Sequence, residues 1–227
     1  MTSKAPATPR VVSVNVGQPR EIPTRNGTVL TSIFKSPVET RVAVRRHNLE
    51  GDRQSDLRVH GGPYKAVYAY SSEHYAYWAA ELPGMDLAFG VFGENLTTVG
   101  LTEDTVRIGD QFRIGSALLQ VTQPRMPCFK LALRFGRRDI IKRFWKSGYA
   151  GIYFAVIEEG ELGAGDEIER LGPAAPSEPV SIADVVSLYK GETNDPQLFE
   201  RVLRAPLRGG WKEEIRERWA ARPLPLF

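Results

Sequence analysis

Apolar and polar positions alternate in short runs over much of residues 10–171. In Val11–Val16, the residues Val12, Val14 and Val16 fall on one face of an extended chain. Lys65–Tyr70 combines β-branched and aromatic residues and predicts a strand. Val106–Ile108, Gln111–Ile114 and Ala117–Thr122 are strand-like runs divided by Gly109-Asp110 and Gly115-Ser116, and Ile152–Ile157 reads as a further buried strand. Gly109-Asp110 and Gly165-Asp166 are turn signals, each followed by an alternating run. Many short strands at close spacing predict a mainly β region, a barrel or sandwich rather than a parallel α/β sheet.

Two segments within this region change to helical spacing. Tyr75, Trp78, Ala79 and Leu82 recur at i, i+3, i+4 and i+7, with Ser71 or Ser72 as the cap and Pro83-Gly84 as the stop. A second helix is predicted from about Arg137 to Lys146. It carries Ile140, Ile141, Phe144 and Trp145 on one face and bases on the other, with Gly148 just past its end. Residues 172–179 contain three prolines and two alanines and read as a linker. Residues 180–227 then become purely helical. Ile182, Val185, Val186 and Tyr189 form one stripe, and Leu198, Phe199, Val202 and Leu203 a second, after an Asp195-Pro196 cap. Trp211, Ile215 and Trp219 form a third. Three helices this short need partners to be stable, so they form an appendage packed on the β region. It reads as a docking or dimerisation module, and a homodimer is one expected assembly.

Composition narrows the class. The chain has 227 residues, 42% hydrophobic and 25% charged, which fits one globular domain with a small appendage and excludes a disordered or fibrous chain. No apolar run approaches the roughly 18–20 residues of a membrane span. Residues 1–9 are small, polar and proline-containing, and read as a disordered start without the apolar stretch of a signal peptide. A cytoplasmic location is therefore expected. The single cysteine fits a reducing compartment. A net charge of +3 is too small to indicate nucleic-acid binding. Its distribution is uneven, because Arg125–Lys146 holds eight bases and one acid, Asp139. That window begins beside Cys128.

The chain lacks a phosphate-binding Gly-x-x-x-x-Gly-Lys-Ser/Thr loop and a dinucleotide-binding Gly-x-Gly-x-x-Gly turn. Its three histidines, His47, His60 and His74, have no short ligand spacing, so a structural zinc site is not indicated. Cys128 lies in Gln123-Pro-Arg-Met-Pro-Cys-Phe-Lys-Leu131, a loop after a strand, stiffened by Pro124 and Pro127 and flanked by Arg125 and Lys130. Positive neighbours favour the thiolate, which is both nucleophile and soft metal ligand. A lone cysteine is otherwise a small core residue. In Val59-His-Gly-Gly-Pro, the glycines allow backbone to approach a ligand closely, with His60 and Lys65 at the border; a tight turn is the simpler alternative. In Phe92-Gly-Glu-Asn-Leu, Asn95 can bond the edge of a heterocycle, while Glu94 can equally hold a loop.

Taken in order, these segments resemble the MOSC family, named for the C-terminal domain of molybdenum-cofactor sulfurases, and within it the stand-alone YiiM-like branch. Phe34-Lys-Ser-Pro-Val38, Gly51-Asp52, and Lys65-Ala-Val-Tyr68 belong to the same set, which runs from about Ile33 to Leu171. The resemblance implies a β-barrel-centred MOSC-type domain at 10–171 and a three-helix C-terminal appendage at 180–227. It implies a molybdopterin-type molybdenum cofactor with Cys128 as metal ligand and catalytic residue. Lys35, Lys65, Arg125, Lys130 and Arg134 are then candidates to pair with its phosphate, and His60, Gly61 and Asn95 to contact pterin and metal oxygens. Pyridoxal phosphate is not expected, because the aminotransferase-like part of full sulfurases is absent from the match.

The family further implies an oxidoreductase that reduces small N-hydroxylated compounds, such as hydroxylamino base analogues. No flavin or nicotinamide motif is visible, so a separate reductase would donate electrons, with the basic helix at Arg137–Lys146 as a docking face. Neither nucleic acid nor a membrane is an expected partner. Two alternatives stay open. The chain could be a carrier of cofactor or activated sulfur without turnover, or a metal-free thiol enzyme pairing Cys128 with His60.

Overall fold

The structure is a computed structural model that describes residues 8–25, 27–55, 61–175, 178–207 and 210–222. Strand β1 (Arg10–Val16) is followed by a hairpin of β2 (Arg20–Thr24) and β3 (Gly27–Thr31), then by β4 (Ser36–Val38), β5 (Val42–Arg45) and β6 (Asn48–Leu49). β7 (Val67–Ser71) leads through helix α1 (Glu73–Glu81) to β8 (Leu96–Val99). β9 (Asp110–Ile114) and β10 (Ala117–Pro124) form a hairpin, after which α2 (Phe129–Phe135) and α3 (Ile140–Ser147) precede β11 (Ile152–Glu158). β12 (Gly160–Leu162), β13 (Ile168–Pro173), α4 (Ile182–Lys190), α5 (Pro196–Arg204) and α6 (Trp211–Ala220) follow. Most of residues 1–9, and part of residues 172–179, lie outside the described residues.

Eight strands pair in the order β13-β9-β10-β11-β7-β8-β1-β4. All pairs are antiparallel except β7 with β8, whose crossover carries α1. The expected mainly β class holds, but the sheet is not closed into a barrel. β4 is three residues long and covers only the C-terminal half of β1. The N-terminal half instead meets the turn before β13: Val11 N donates to Asp166 O at 2.9 Å and Ile168 N to Pro9 O at 2.8 Å. The sheet folds back on itself at this corner without continuous strand pairing.

β7 explains how one sheet serves two cores. All five of its residues are buried. Val67 and Ala69 face an aliphatic core shared with Leu119, Phe154 and the apolar stripes of α4–α6. Tyr68 and Tyr70 face an aromatic core with Trp78, Phe92, Leu131 and Phe144 under α1–α3. Tyr70 accepts a hydrogen bond from Trp78 Nε1 at 2.6 Å, which satisfies a buried indole. α5 is capped by Asp195, whose carboxylate accepts from Gln197 N at 2.8 Å, with Pro196 at the first helical position.

Several local expectations change. The pairing of β1 with β8 shifts register between Val11 and Ser13, so Val11 and Val14 both reach the core while Ser13 and Asn15 share a buried polar face. Val106–Ile108 is not a strand; Arg107 makes only an isolated bridge to Ser181. Ser72 occupies the cap position of α1 but makes no capping bond. α3 starts at Ile140 rather than Arg137 and ends on Gly148 at φ +76°. α2 falls where the sequence reading placed a loop.

Candidate functional site

The C-terminal end of β10 positions the cysteine. Gln123 and Pro124 still pair with Tyr153 and Ile152 of β11, and proline then ends the ladder. The chain crosses Arg125-Met126-Pro127 and enters α2 directly after Cys128, whose backbone is extended and whose carbonyl accepts from Leu131 N at 2.9 Å. Cys128 is half-buried and carries a free thiol. Arg125 is buried beneath it. Its Nη1 donates to Phe92 O at 2.6 Å, and its guanidinium lies 4.9 Å from the Tyr68 ring centroid and 5.5 Å from that of Phe144. Burial opposes the Arg125 charge, but Tyr68, Tyr153 and Cys128 together hold its pKa above the usual value.

These residues open into a cleft of about 600 Å³, its mouth included. Cys128, Arg125 and Lys130 form one wall. Lys35, Asp52 and Asn95 form another, and Gly61 and Lys65 line the approach to β7. Of the described residues among the expected site positions, Lys35, Gly61, Lys65, Asn95, Arg125, Cys128 and Lys130 line this one cavity, and Arg134 does not. His60 lies outside the described residues, as does its pairing with Cys128. The Arg134 guanidinium stacks 5.2 Å from the Phe34 ring centroid, and Arg20 lies 3.6 Å from the same centroid.

The cations are held differently. Lys35 Nζ contacts Asp52 Oδ1 at 2.5 Å; burial pushes the Lys35 pKa down and Asp52 opposes that shift. Lys130 Nζ donates to Ser55 Oγ at 3.1 Å. Partial burial lowers the Lys65 pKa. The Asn95 amide is largely committed within the protein: Oδ1 accepts from Tyr68 N at 3.1 Å and Nδ2 donates to Asp52 Oδ2 at 2.9 Å. It shapes the wall more than it offers free hydrogen-bonding groups. Gly93, at φ +79°, lines the same wall, and a Cβ there would sit 2.9 Å from Ile33 Cγ1.

Sequence reasoning missed Asp52, Tyr68 and Tyr153 as cleft residues. Asp52 stood in a noted Gly-Asp pair, but its role depends on contacts 17 and 43 residues away. Behind the wall, Glu94 is fully buried. Its Oε1 accepts from the Tyr75 hydroxyl, from Gly90 N at 2.7 Å and from Thr97 Oγ1 at 3.0 Å, while Oε2 has no partner among the described residues. Burial raises its pKa. His74 sits elsewhere, buried against Glu103 at 2.7 Å.

Residues 56–169 match the family model of the MOSC domain. The chain belongs to the MOSC domain family. It is 40% identical over 203 residues to the uncharacterized protein YflK of Bacillus subtilis, covering 89% of this chain and 90% of that one. It is 36% identical over 191 residues to protein YiiM of Escherichia coli, covering 83% and 84%. The crystal structure of YiiM from Geobacillus stearothermophilus superposes with a TM-score of 0.75 at 34% identity, covering 93% of this chain and 99% of that one. A protein of Gibberella moniliformis named "Reductase" is 30% identical over 200 residues, covering 87% of this chain but only 35% of its own length.

MOSC domains are associated with molybdenum-cofactor binding, and the cleft fits such a group by its donor set. Among the described residues, no cluster of three histidine, cysteine or carboxylate side chains can hold a metal unaided. A single soft thiol suits a metal whose other ligands arrive with an organic cofactor. Among the described residues, four cationic side chains against one carboxylate line the cleft, which suits a phosphate-bearing anion. Among the described residues, no helix is long and apolar enough to cross a membrane.

Proposed function

We propose that this MOSC chain binds a molybdopterin-type molybdenum cofactor in the cleft and reduces small N-hydroxylated compounds to the corresponding amines. What supports this most is one arrangement: a half-exposed thiol sharing a cavity with Lys35, Lys65, Arg125 and Lys130. Cys128 Sγ would ligate the metal. Arg125, Lys130 and Lys65, which line the same cavity, would pair with the phosphate. Gly61 and Gly93 present wall without side chains, which suits a flat ring system. When bound, such a cofactor supplies two-electron oxygen-atom transfer.

The reaction balances as R–NHOH plus two electrons and two protons giving R–NH₂ and water, with the N–O bond broken. The chain's own residues bind the anionic group, limit water and supply charge. Lys35 Nζ, whose pKa is lowered by burial, can hold a proton beside the cavity. Electrons come from a separate donor protein. The similarity to a protein named "Reductase" supports an oxidoreductase role.

The test is turnover of a hydroxylamino base by protein purified from cofactor-producing cells, with reduced methyl viologen as electron source. Amine production by the wild type and its loss in Cys128→Ala are expected. Cofactor-loaded protein that is inert with every donor would contradict the reductase reading and favour a carrier.

A further inference from the structure

A second groove of about 750 Å³, its mouth included, lies against the cysteine loop. Met126 and Pro127, the two residues before Cys128, form one side. α3 contributes Ile141, Lys142 and Trp145, preceded by Arg138, while Tyr189 of α4 and Arg218 of α6 form the other side. The floor is apolar and aromatic: Trp145 meets Tyr189 edge-on at 5.4 Å between centroids. Among the described residues, every charged one lining the groove is basic.

The structure separates the useful cations from the occupied ones. Arg137 is tied to Asp139 at 2.6 Å, and Arg143 to Asp139 at 2.8 Å and to Glu81 at 2.7 Å. Arg138 and Lys142 make no ion pair among the described residues. Arg218 stacks 4.0 Å from the Tyr189 ring centroid and donates to its hydroxyl at 3.2 Å, so a base from the C-terminal helices is fixed beside the two from α3. The groove therefore joins the helical appendage to the loop that carries the thiol. Its positive rim around an apolar floor complements a partner with an acidic rim and an apolar centre.

We infer that this groove docks an acidic flavoprotein that delivers electrons to the cleft, with its carboxylates against Arg138, Lys142 and Arg218 and its flavin edge against Met126-Pro127. The inference rests on the reductase reading. In the coupled reaction NADPH reduces the flavoprotein. The flavoprotein passes on two electrons, and R–NHOH with NADPH and one proton yields R–NH₂, water and NADP⁺.

Flavodoxin, kept reduced by NADPH and its own reductase, is the probe. Wild type and the double variant Arg138→Glu/Lys142→Glu are compared in three measurements. Flavodoxin binding is titrated directly, flavodoxin-driven turnover is followed against salt, and methyl-viologen-driven turnover serves as the reference. The expected result is about tenfold weaker binding and a lost salt dependence in the variant, with viologen-driven turnover unchanged. Equal binding of both proteins overturns the docking site, as does wild-type protein that is turned over by viologen but neither bound nor driven by flavodoxin. A variant that changes from dimer to monomer assigns the groove to a second copy of this chain instead. Viologen-driven inactivity of loaded wild type strikes the reductase reading, while the binding titration still reads the groove.

Discussion

Asp52 joins Lys35 to Asn95: Oδ1 contacts Lys35 Nζ at 2.5 Å and Oδ2 accepts Asn95 Nδ2 at 2.9 Å. Oδ1 also accepts Gly17 N at 2.9 Å. One buried carboxylate thus ties the strand β1 end, the segment before β4 and the segment before β8 into a single cleft wall. Removing it strands a buried ammonium. Asp52→Ala is expected to cost about 3–5 kcal/mol of unfolding free energy, and Lys35→Met in the same chain to recover part of it. Urea denaturation of the single and double variants measures this; equal stability of Asp52→Ala and wild type would refute the coupling.

Glu94 gives a pH prediction of defined sign. Burial raises its folded pKa above the ordinary value, so its contribution to stability is fully present below the unfolded pKa and is lost as pH rises through the folded one. Glu94→Gln keeps an acceptor for Tyr75, Gly90 and Thr97 and places an uncharged amide where Oε2 has no partner among the described residues. The stability of the variant should vary less than that of wild type between pH 5 and pH 8, because the group that loses its proton is gone. Unfolding curves at pH 5 and pH 8 decide it. A variant much weaker at pH 8 would show that the ionised carboxylate is needed.

Gly93 holds the wall open. Alanine there meets Ile33 at 2.9 Å from a backbone at φ +79°. Gly93→Ala should lose about 1–3 kcal/mol and bind the cofactor less well. Thermal unfolding together with molybdenum content tests both effects, and unchanged values for both would remove the steric argument.

Arg125 combines charge with geometry. Its bond to Phe92 O and its contact with Tyr68 require a planar fork, so Arg125→Lys should fail to restore what Arg125→Ala loses. Pterin retained after gel filtration is the readout. Full retention by the lysine variant would reduce Arg125 to a point charge.

The sequence made the β10 and β11 runs, the cysteine loop and most of the cleft legible, because strand alternation and proline-rich punctuation are local signals. α2 was not legible. It has seven residues, begins at the end of a proline-bearing loop, and leaves Phe129 54% exposed, so its apolar stripe reduces to Leu131 and Phe135. The β1 register shift was hidden for a similar reason: Val12, Val14 and Val16 alternate cleanly until β8 imposes a bulge. Asn95 was a candidate ligand contact by its amide and its motif; its bonds to Tyr68 and Asp52 were not legible, because those partners lie 27 and 43 residues away. Arg134 was a candidate phosphate ligand only through the family resemblance and its charge, and its guanidinium rests on Phe34.

The central claim is that Cys128 anchors a molybdenum cofactor in the cleft. Its most direct test is the molybdenum-to-protein and pterin-to-protein ratio in wild type and Cys128→Ala, purified in parallel with a control molybdoenzyme from cofactor-producing cells. Molybdenum and pterin in near-equal amounts in the wild type, with metal lost from the variant, are predicted. A loaded control beside wild-type protein that contains neither would contradict the account.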